Sequence, residues 1–277
     1  MYRLERLWRV AGTGVGFAAF GLGGIAMATA LFPPVIWLSR GPLARKRRIQ
    51  FLIQTSFRIF IRALCFFRII ELHVSGRPLL ANARGLLVVS NHPSLLDVVI
   101  LMSMLPRVQC VVKHQIWANP FLRPVVAGAG YIRNDLDPEA LVERCADALR
   151  SGDNVIIFPE GTRSVEGQAM VVKRGFANVA FAARTDLCLT TINCAPVFLP
   201  KGRAWYDVPR IRPVFHVEVG ERLDISAFLG YPFRSQAVRR LATFVRQYYV
   251  EKCEHGRPGI RTEDADRHDA QARRSFA

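Results

Sequence analysis

The sequence predicts an α/β protein: a largely parallel sheet flanked by helices, preceded by an N-terminal membrane-anchoring helical segment. Three observations predict it. No charged residue occurs from Val10 to Ser39. From about residue 80 to 254, short β-rich apolar runs alternate with helical patterns. Apolar residues make up 51% and charged residues 22% of the 277 residues, with a formal net charge of +16. That composition excludes a disordered chain and suits one large domain with a membrane segment. A chain this basic and apolar has two usual partners, nucleic acid and an anionic membrane surface.

The uncharged run comes first in the chain. Thirty residues as a helix reach about 45 Å, against a hydrocarbon core of about 30 Å. Pro33-Pro34 breaks a helix, yet residues 10–32 alone reach about 34 Å. Its six glycines, Gly12, Gly14, Gly16, Gly21, Gly23 and Gly24, are a feature common in membrane helices. The rival is a cleaved signal peptide, although the run is longer than a typical h-region. Arg3, Arg6 and Arg9 precede the run, and Arg40, Arg45, Lys46, Arg47 and Arg48 follow it. This bias places the following side in the cytoplasm, with a hairpin dipping into one leaflet as the other arrangement.

Residues 49–72 are mostly apolar, interrupted by Gln50, Gln54, Arg58, Arg62 and Arg68. At helical pitch these five fall within an arc of about 120°, opposite Ile49, Leu52, Ile53, Ile59, Phe60, Leu64, Phe67 and Ile70. Two placements fit equally: an interfacial helix with its Arg heads at lipid phosphates, or an amphipathic helix on the protein core.

The next stretch carries strand patterns at 86–90, 108–113, 154–158, 189–199 and 213–220. Helical patterns lie at about 94–104, 118–127, 137–151, 175–184 and 233–254. Asp137-Pro138-Glu139 gives an N-cap followed by Pro at the first helical position, and Gly152 a C-cap. Residues 255–277 are polar and charged, and read as a mobile tail. The six cysteines have neither CxxC spacing nor a His/Cys cluster. This predicts reduced, mostly buried thiols and no metal site.

Two turns carry the chemistry. Asn91-His92-Pro93-Ser94-Leu95-Leu96-Asp97 follows the run 86–90, which puts His92 at the carboxyl end of a strand, where open α/β sheets bind ligands. Asp97, about a helical turn on, is placed to accept from one ring nitrogen and leave the other as a base. Alone, the segment reads as well as a surface turn with Asp97 as a helix-terminus charge. Ser94 lacks the nucleophile-elbow pattern and reads as a capping or packing hydroxyl. The second turn is Phe158-Pro159-Glu160-Gly161-Thr162-Arg163-Ser164. Arg163 suits bidentate grip of a phosphate, Glu160 can accept from hydroxyls or orient that arginine, and Gly161 lets backbone approach a ligand. Lys173 adds positive charge, and the alternative is a solvated, salt-bridged loop. Gly128-Ala129-Gly130-Tyr131-Ile132-Arg133 offers a further arginine, and alone reads as a plain turn.

Together these segments resemble the glycerolipid acyltransferase family, whose best-known members are 1-acyl-glycerol-3-phosphate acyltransferases. The resemblance covers about residues 80–200 and rests on NHxxxxD at 91–97 followed by FPEGTRS at 158–164. It implies His92 as catalytic base with Asp97 as its partner, and an acceptor site of Arg133, Glu160, Gly161, Thr162, Arg163 and Lys173. Near the place where the family's second motif carries its arginine, this chain has Leu136, and residues 201–213 form a distinctive polar-aromatic loop, which leaves a non-glycerophosphate lipid as the alternative acceptor. The resemblance further implies transfer of an acyl group from acyl-CoA or acyl-carrier protein to a lysophospholipid hydroxyl, with no cofactor. The domains expected are an anchor and interfacial helix at 1–72, an acyltransferase domain at 73–254 and the tail at 255–277. The expected partners are membrane lipids and the two substrates, at an inner or cytoplasmic membrane with the site facing the cytoplasm. The basic-aromatic loop at 201–212 keeps a membrane-tethered nucleic-acid binder as the rival class, although no recognised nucleic-acid module appears and none is expected to bind.

Overall fold

The structure is a computed structural model that describes residues 2–120, 122–165 and 168–255. Beyond His255 the expected polar tail lies outside the described residues.

The chain opens with α1 (Tyr2–Ala26), a π-helical turn (Met27–Leu31), α2 (Phe32–Leu38) and α3 (Pro42–Phe66). There follow β1 (Glu71–Ser75), α4 (Pro78–Ala81), β2 (Leu87–Ser90), α5 (Asp97–Met104), β3 (Val108–Val112), α6 (His114–Ala118), α7 (Arg123–Ala129) and β4 (Ile132–Arg133). The remainder is α8 (Pro138–Arg150), β5 (Asn154–Ile157), α9 (Gly175–Ala183), β6 (Leu187–Ala195), β7 (Val214–Leu223), α10 (Ser226–Leu229) and α11 (Arg234–His255). Seven strands form one sheet in the order β1-β7-β6-β2-β5-β3-β4. Every pairing is parallel except β6 with β7, as the alternation of strand and helix predicted.

Strand alternation sorts the core into two layers. Val88, Ile156 and Ile192 face the side covered by α3, α5 and α7, while Leu87, Val89, Val155 and Leu189 face α8, α9 and α11. At the foot of the sheet the buried Asn154 ties the strand starts together. Its Nδ2 donates to the carbonyls of Ala83 and Pro106 (2.9 and 2.7 Å), and its Oδ1 accepts from Leu86 N–H at 2.9 Å. β2 and β5 are thereby fixed side by side, so the turns leaving their carboxyl ends must meet. Cys110, Cys145, Cys188 and Cys194 are buried and unpaired. Burial pushes the thiols of Cys110, Cys145 and Cys194 up to about 12, which makes them packing groups rather than nucleophiles.

Two sequence readings need correction, and one strand goes unread. The expected helix at 118–127 is two helices, because Asn119 takes an extended backbone (ψ 117°) ahead of Pro120. β4 is only two residues long, too short to leave a period in the sequence. The amphipathic helix expected to reach residue 72 stops at Phe66. Arg68 takes the left-handed conformation (φ 56°), with Arg68 N–H donating to Cys65 O and Ile69 N–H to Leu64 O. This is a Schellman closure built without glycine, so the usual stop signal is missing. Glu71 and Leu72 already belong to β1, so the sheet begins inside the expected anchor.

The stretches Leu4–Leu38 and Pro42–Phe66 are each long and apolar enough to cross a membrane, with mean hydropathy of 1.8 and 1.3. They lie antiparallel. Trp8 Nε1 donates to Phe67 O, Phe20 stacks on Phe57, Ser56 meets Met27 Sδ, and Arg48 donates to Leu38 O. The inner face of α3 packs on α5 and α7 through Ile49, Ile53 and Leu64. Gln50 and Gln54, two of the five residues of the predicted polar arc, are buried there as well, and Gln50 donates to Ala129 O at 3.1 Å. Lys46 reaches past Gly130 to a buried ion pair with Asp153, which also accepts from Gln109. The outward face carries Leu43, Phe51, Ile59 and Phe66, with the Arg45, Arg47 and Arg48 side chains exposed at the foot.

Ile53 is 1% and Ile59 62% exposed on this one helix. Ile53→Ala is expected to cost about 2–5 kcal/mol of unfolding free energy, and Ile59→Ala to stay within about 0.5 kcal/mol. Equal losses in denaturant unfolding would show that α3 does not pack this way round.

Candidate active site

β2 ends at Ser90 and the chain turns through His92-Pro93 into α5. Asn91, 4% exposed, anchors the start of this turn to β6. Its Nδ2 donates to Ile192 O at 2.8 Å and its Oδ1 accepts from Ile192 N–H at 2.7 Å. The buried Ser94 Oγ donates to Phe198 O at 2.6 Å and accepts from Leu96 N–H at 3.2 Å. That is the packing role read for it, and it commits the hydroxyl away from nucleophilic work.

Asp97 begins α5 and is fully buried. Its Oδ2 accepts from Ser94 N–H at 2.6 Å and lies 2.9 Å from His92 Nδ1. With Nδ1 as donor to this carboxylate, Nε2 is left as the accepting nitrogen. Asp97 Oδ1 is buried with no hydrogen-bond partner. Burial therefore pushes the carboxyl up to about 6, against the lowering effect of His92 and Ser94 N–H. The imidazole stacks on Phe158 with centroids 4.1 Å apart and 26° between planes, which fixes its tilt as well as its tautomer.

The turn after β5 closes on the turn after β2. Glu160 Oε1 accepts from His92 N–H at 3.0 Å and from Ser164 Oγ at 2.9 Å, while Ser164 N–H donates to His92 O at 2.7 Å. Glu160 thus holds the histidine backbone rather than orienting Arg163, and Ser164 is a member of the site that sequence reasoning passed over. Its signal was only its place at the end of the charged turn. Gly161 has φ 71°, and a Cβ there would come within 2.8 Å of Lys173 Nζ. The turn therefore needs glycine both for its backbone and to let the lysine ammonium lie over it. Thr162 is exposed on the same turn. Arg163 Nη1 donates to the carbonyls of Leu199 and Pro200 at 2.7 and 3.0 Å, which leaves the remaining N–H groups of its fork for another partner. Together, His92, Asp97, Glu160, Gly161, Thr162, Arg163 and Lys173 form one cluster at the carboxyl end of β2 and β5.

Arg133 does not join this cluster. It ends β4, three places along the sheet from β2, roughly 14 Å at the usual strand spacing. Its fork is taken by Asp135 at 2.9 and 2.6 Å, which holds the Asp135 carboxyl down to about 2. His114 Nδ1 lies 3.2 Å from the same carboxylate. The expectation that Arg133 shares the acceptor site is therefore corrected: the adjacent Asp135 satisfies it locally.

Residues 71–199 match the acyltransferase family model. A chloroplastic 1-acyl-sn-glycerol-3-phosphate acyltransferase of Arabidopsis thaliana is 33% identical over 143 residues, covering 50% of this chain and 40% of that protein. The human 1-acyl-sn-glycerol-3-phosphate acyltransferase beta is 28% identical over 134 residues, covering 46% and 48% of the two chains. The chain thus spans less than half the length of these curated relatives. The crystal structure of the 1-acyl-sn-glycerophosphate acyltransferase PlsC from Thermotoga maritima has the same fold. It superposes with a TM-score of 0.65 at 16% identity, over 94% of this chain and 100% of that one. The matched stretch runs from the first strand of the sheet to the carbonyl that holds Arg163.

Proposed function

We propose that the protein is a membrane-docked O-acyltransferase, moving a fatty acyl group from a thioester to the free hydroxyl of a lysophospholipid such as 1-acyl-glycerol-3-phosphate. The observation that carries this reading is the His92–Asp97 pair beside the turn holding Arg163 and Lys173: a base and a phosphate grip at one strand end. Comparison with the curated relatives, named for this reaction, supports it.

In this mechanism His92 Nε2 takes the proton of the acceptor hydroxyl as its oxygen attacks the thioester carbonyl. Asp97 stabilises the imidazolium, and the collapse of the tetrahedral intermediate returns the proton to the departing thiolate. The acceptor supplies the nucleophile, so no acyl-enzyme is required, consistent with Ser94 Oγ being bound to Phe198 O. The free edge of Arg163 and the Lys173 ammonium hold the acceptor's phosphate. The donor is acyl-CoA or acyl-carrier protein, acidic species that a chain of charge +16 attracts.

The helices α1–α3 seat the domain on the bilayer. The packing of α3 on α5 and α7 supports an antiparallel pair that lies on the bilayer rather than one that spans it. Its outward apolar face meets lipid, with Arg45, Arg47 and Arg48 at the headgroups and the site on the cytoplasmic side.

His92→Ala is expected to lower turnover by about 10²–10⁴-fold in a protein that still folds, and near-normal turnover would end this mechanism. As pH falls through about 6, the value to which burial raises the Asp97 carboxyl, the dyad takes up a proton and its basic form is lost. The kcat/KM profile should therefore drop on its acid side near pH 6, and a flat profile down to pH 5 contradicts the assignment. Arg163→Lys keeps the charge and loses the fork. It should raise the acceptor's KM far more than the donor's; movement of the donor's KM alone would assign Arg163 to the other substrate.

A further inference from the structure

One segment touches both turns of the site and the N-terminal helix. Phe198 O accepts from Ser94 Oγ, and the carbonyls of Leu199 and Pro200 accept from Arg163. A few residues on, the same stretch lies along α1. Trp205 sits edge-on to Phe17, with ring centroids 6.2 Å apart, and against Gly14, where a Cβ would come within 3.1 Å of the indole. Arg6 donates to Val208 O at 3.3 Å, and the buried Arg9 donates to Arg210 O. Val208, between these contacts, is 2% exposed and belongs to the core.

From these contacts we infer that residues 198–210 form a positioning strap: α1 fixes the strap, and the strap's first carbonyls fix Arg163. Gly14 and Trp205 are then positioning residues for the acceptor, although neither touches it. The inference rests on the reading that Arg163 binds the acceptor's phosphate. Arg163 Nη1 has two carbonyl partners on the strap, and the side chain has no acidic partner within ion-pair distance among the described residues. Its guanidinium plane therefore follows residues 199–200. The glycines of α1 fit the same picture. Gly12, Gly14, Gly16 and Gly24 face Ile69, Trp205, Leu64 and Leu122, whereas Gly21 and Gly23 meet nothing within 4 Å. The membrane-type composition of this helix thus conceals a close-packed seat, and α1 takes part in building the site.

The test uses the full chain in detergent micelles, a short-chain water-soluble lysophosphatidate and an acyl-CoA. Gly14→Leu pushes the indole away, and Trp205→Ala removes it. Each should raise the acceptor's KM about tenfold with the donor's KM unchanged, since a displacement of about 1 Å is costly to an oriented substrate. The double variant should be no worse than the worse single, because both remove one contact. Gly21→Leu, facing open space, should leave both constants alone. If Gly14→Leu fails to fold, Trp205→Ala at a half-exposed residue carries the test. Arg163→Lys separates the two claims. If it raises the acceptor's KM while Trp205→Ala leaves that KM within about twofold, the strap is refuted and the phosphate reading stands. If Arg163→Lys leaves the acceptor's KM unchanged, the phosphate reading fails, and the strap falls with it.

Discussion

The backbone of His92 is held at both of its polar atoms by a turn some seventy residues downstream. Its N–H donates to a carboxylate and its carbonyl accepts from an amide, so a turn with no ladder of its own has its hydrogen bonds satisfied. A hydrogen bond to a charged group contributes about 1.5–3 kcal/mol and a neutral one about 1 kcal/mol. The clamp thus has the strength to fix the loop against thermal motion without any covalent tie. Everything else at the site follows from it. With the histidine backbone fixed, the ring has only its own torsions to settle, and Asp97 and Phe158 settle them from an edge and a face. The clamp is possible only because β2 and β5 are parallel neighbours tied at the foot by Asn154.

The same economy explains the buried carboxylate. Asp97 has one oxygen fully engaged and one with no partner, and is itself without exposure to solvent. Such a group is poorly stabilised as an anion until a cation stands beside it. The imidazolium formed when the acceptor loses its proton is that cation. The arrangement favours the charged pair of the reaction over the resting state, which is what differential stabilisation requires.

Much of this was legible in the sequence, for identifiable reasons. The strand–turn–helix reading put His92 and Arg163 each in a turn that leaves a strand, because the apolar runs before both turns are strong. Asp137-Pro138 gave the start of α8 to the residue, since a cap and a proline act locally. What the sequence hid depends on long-range partners. The end of α3 is closed by Arg68 in a conformation that glycine usually marks. Gln50, turned inward, donates to a carbonyl at residue 129 that no helical wheel contains. The glycines of α1 carried a membrane signal and also a packing one, and composition alone does not separate the two. Arg133 was read toward the site by motif, while Asp135, two residues away, held it.

The ion pair of Lys46 with Asp153 changes what the run Arg45–Arg48 means. By composition these four cations are interchangeable contributors to an electrostatic field over an anionic bilayer. By structure one of them is withdrawn from that field: its charge is matched inside the protein, next to a 4%-exposed aspartate that also accepts from Gln109. Neutralising an outward arginine dims a screened, adjustable attraction. Neutralising Lys46 strands a buried anion and loosens the helix hairpin from the foot of the sheet. Within four consecutive residues, therefore, the chain separates how strongly it is drawn to a surface from how rigidly it is mounted there.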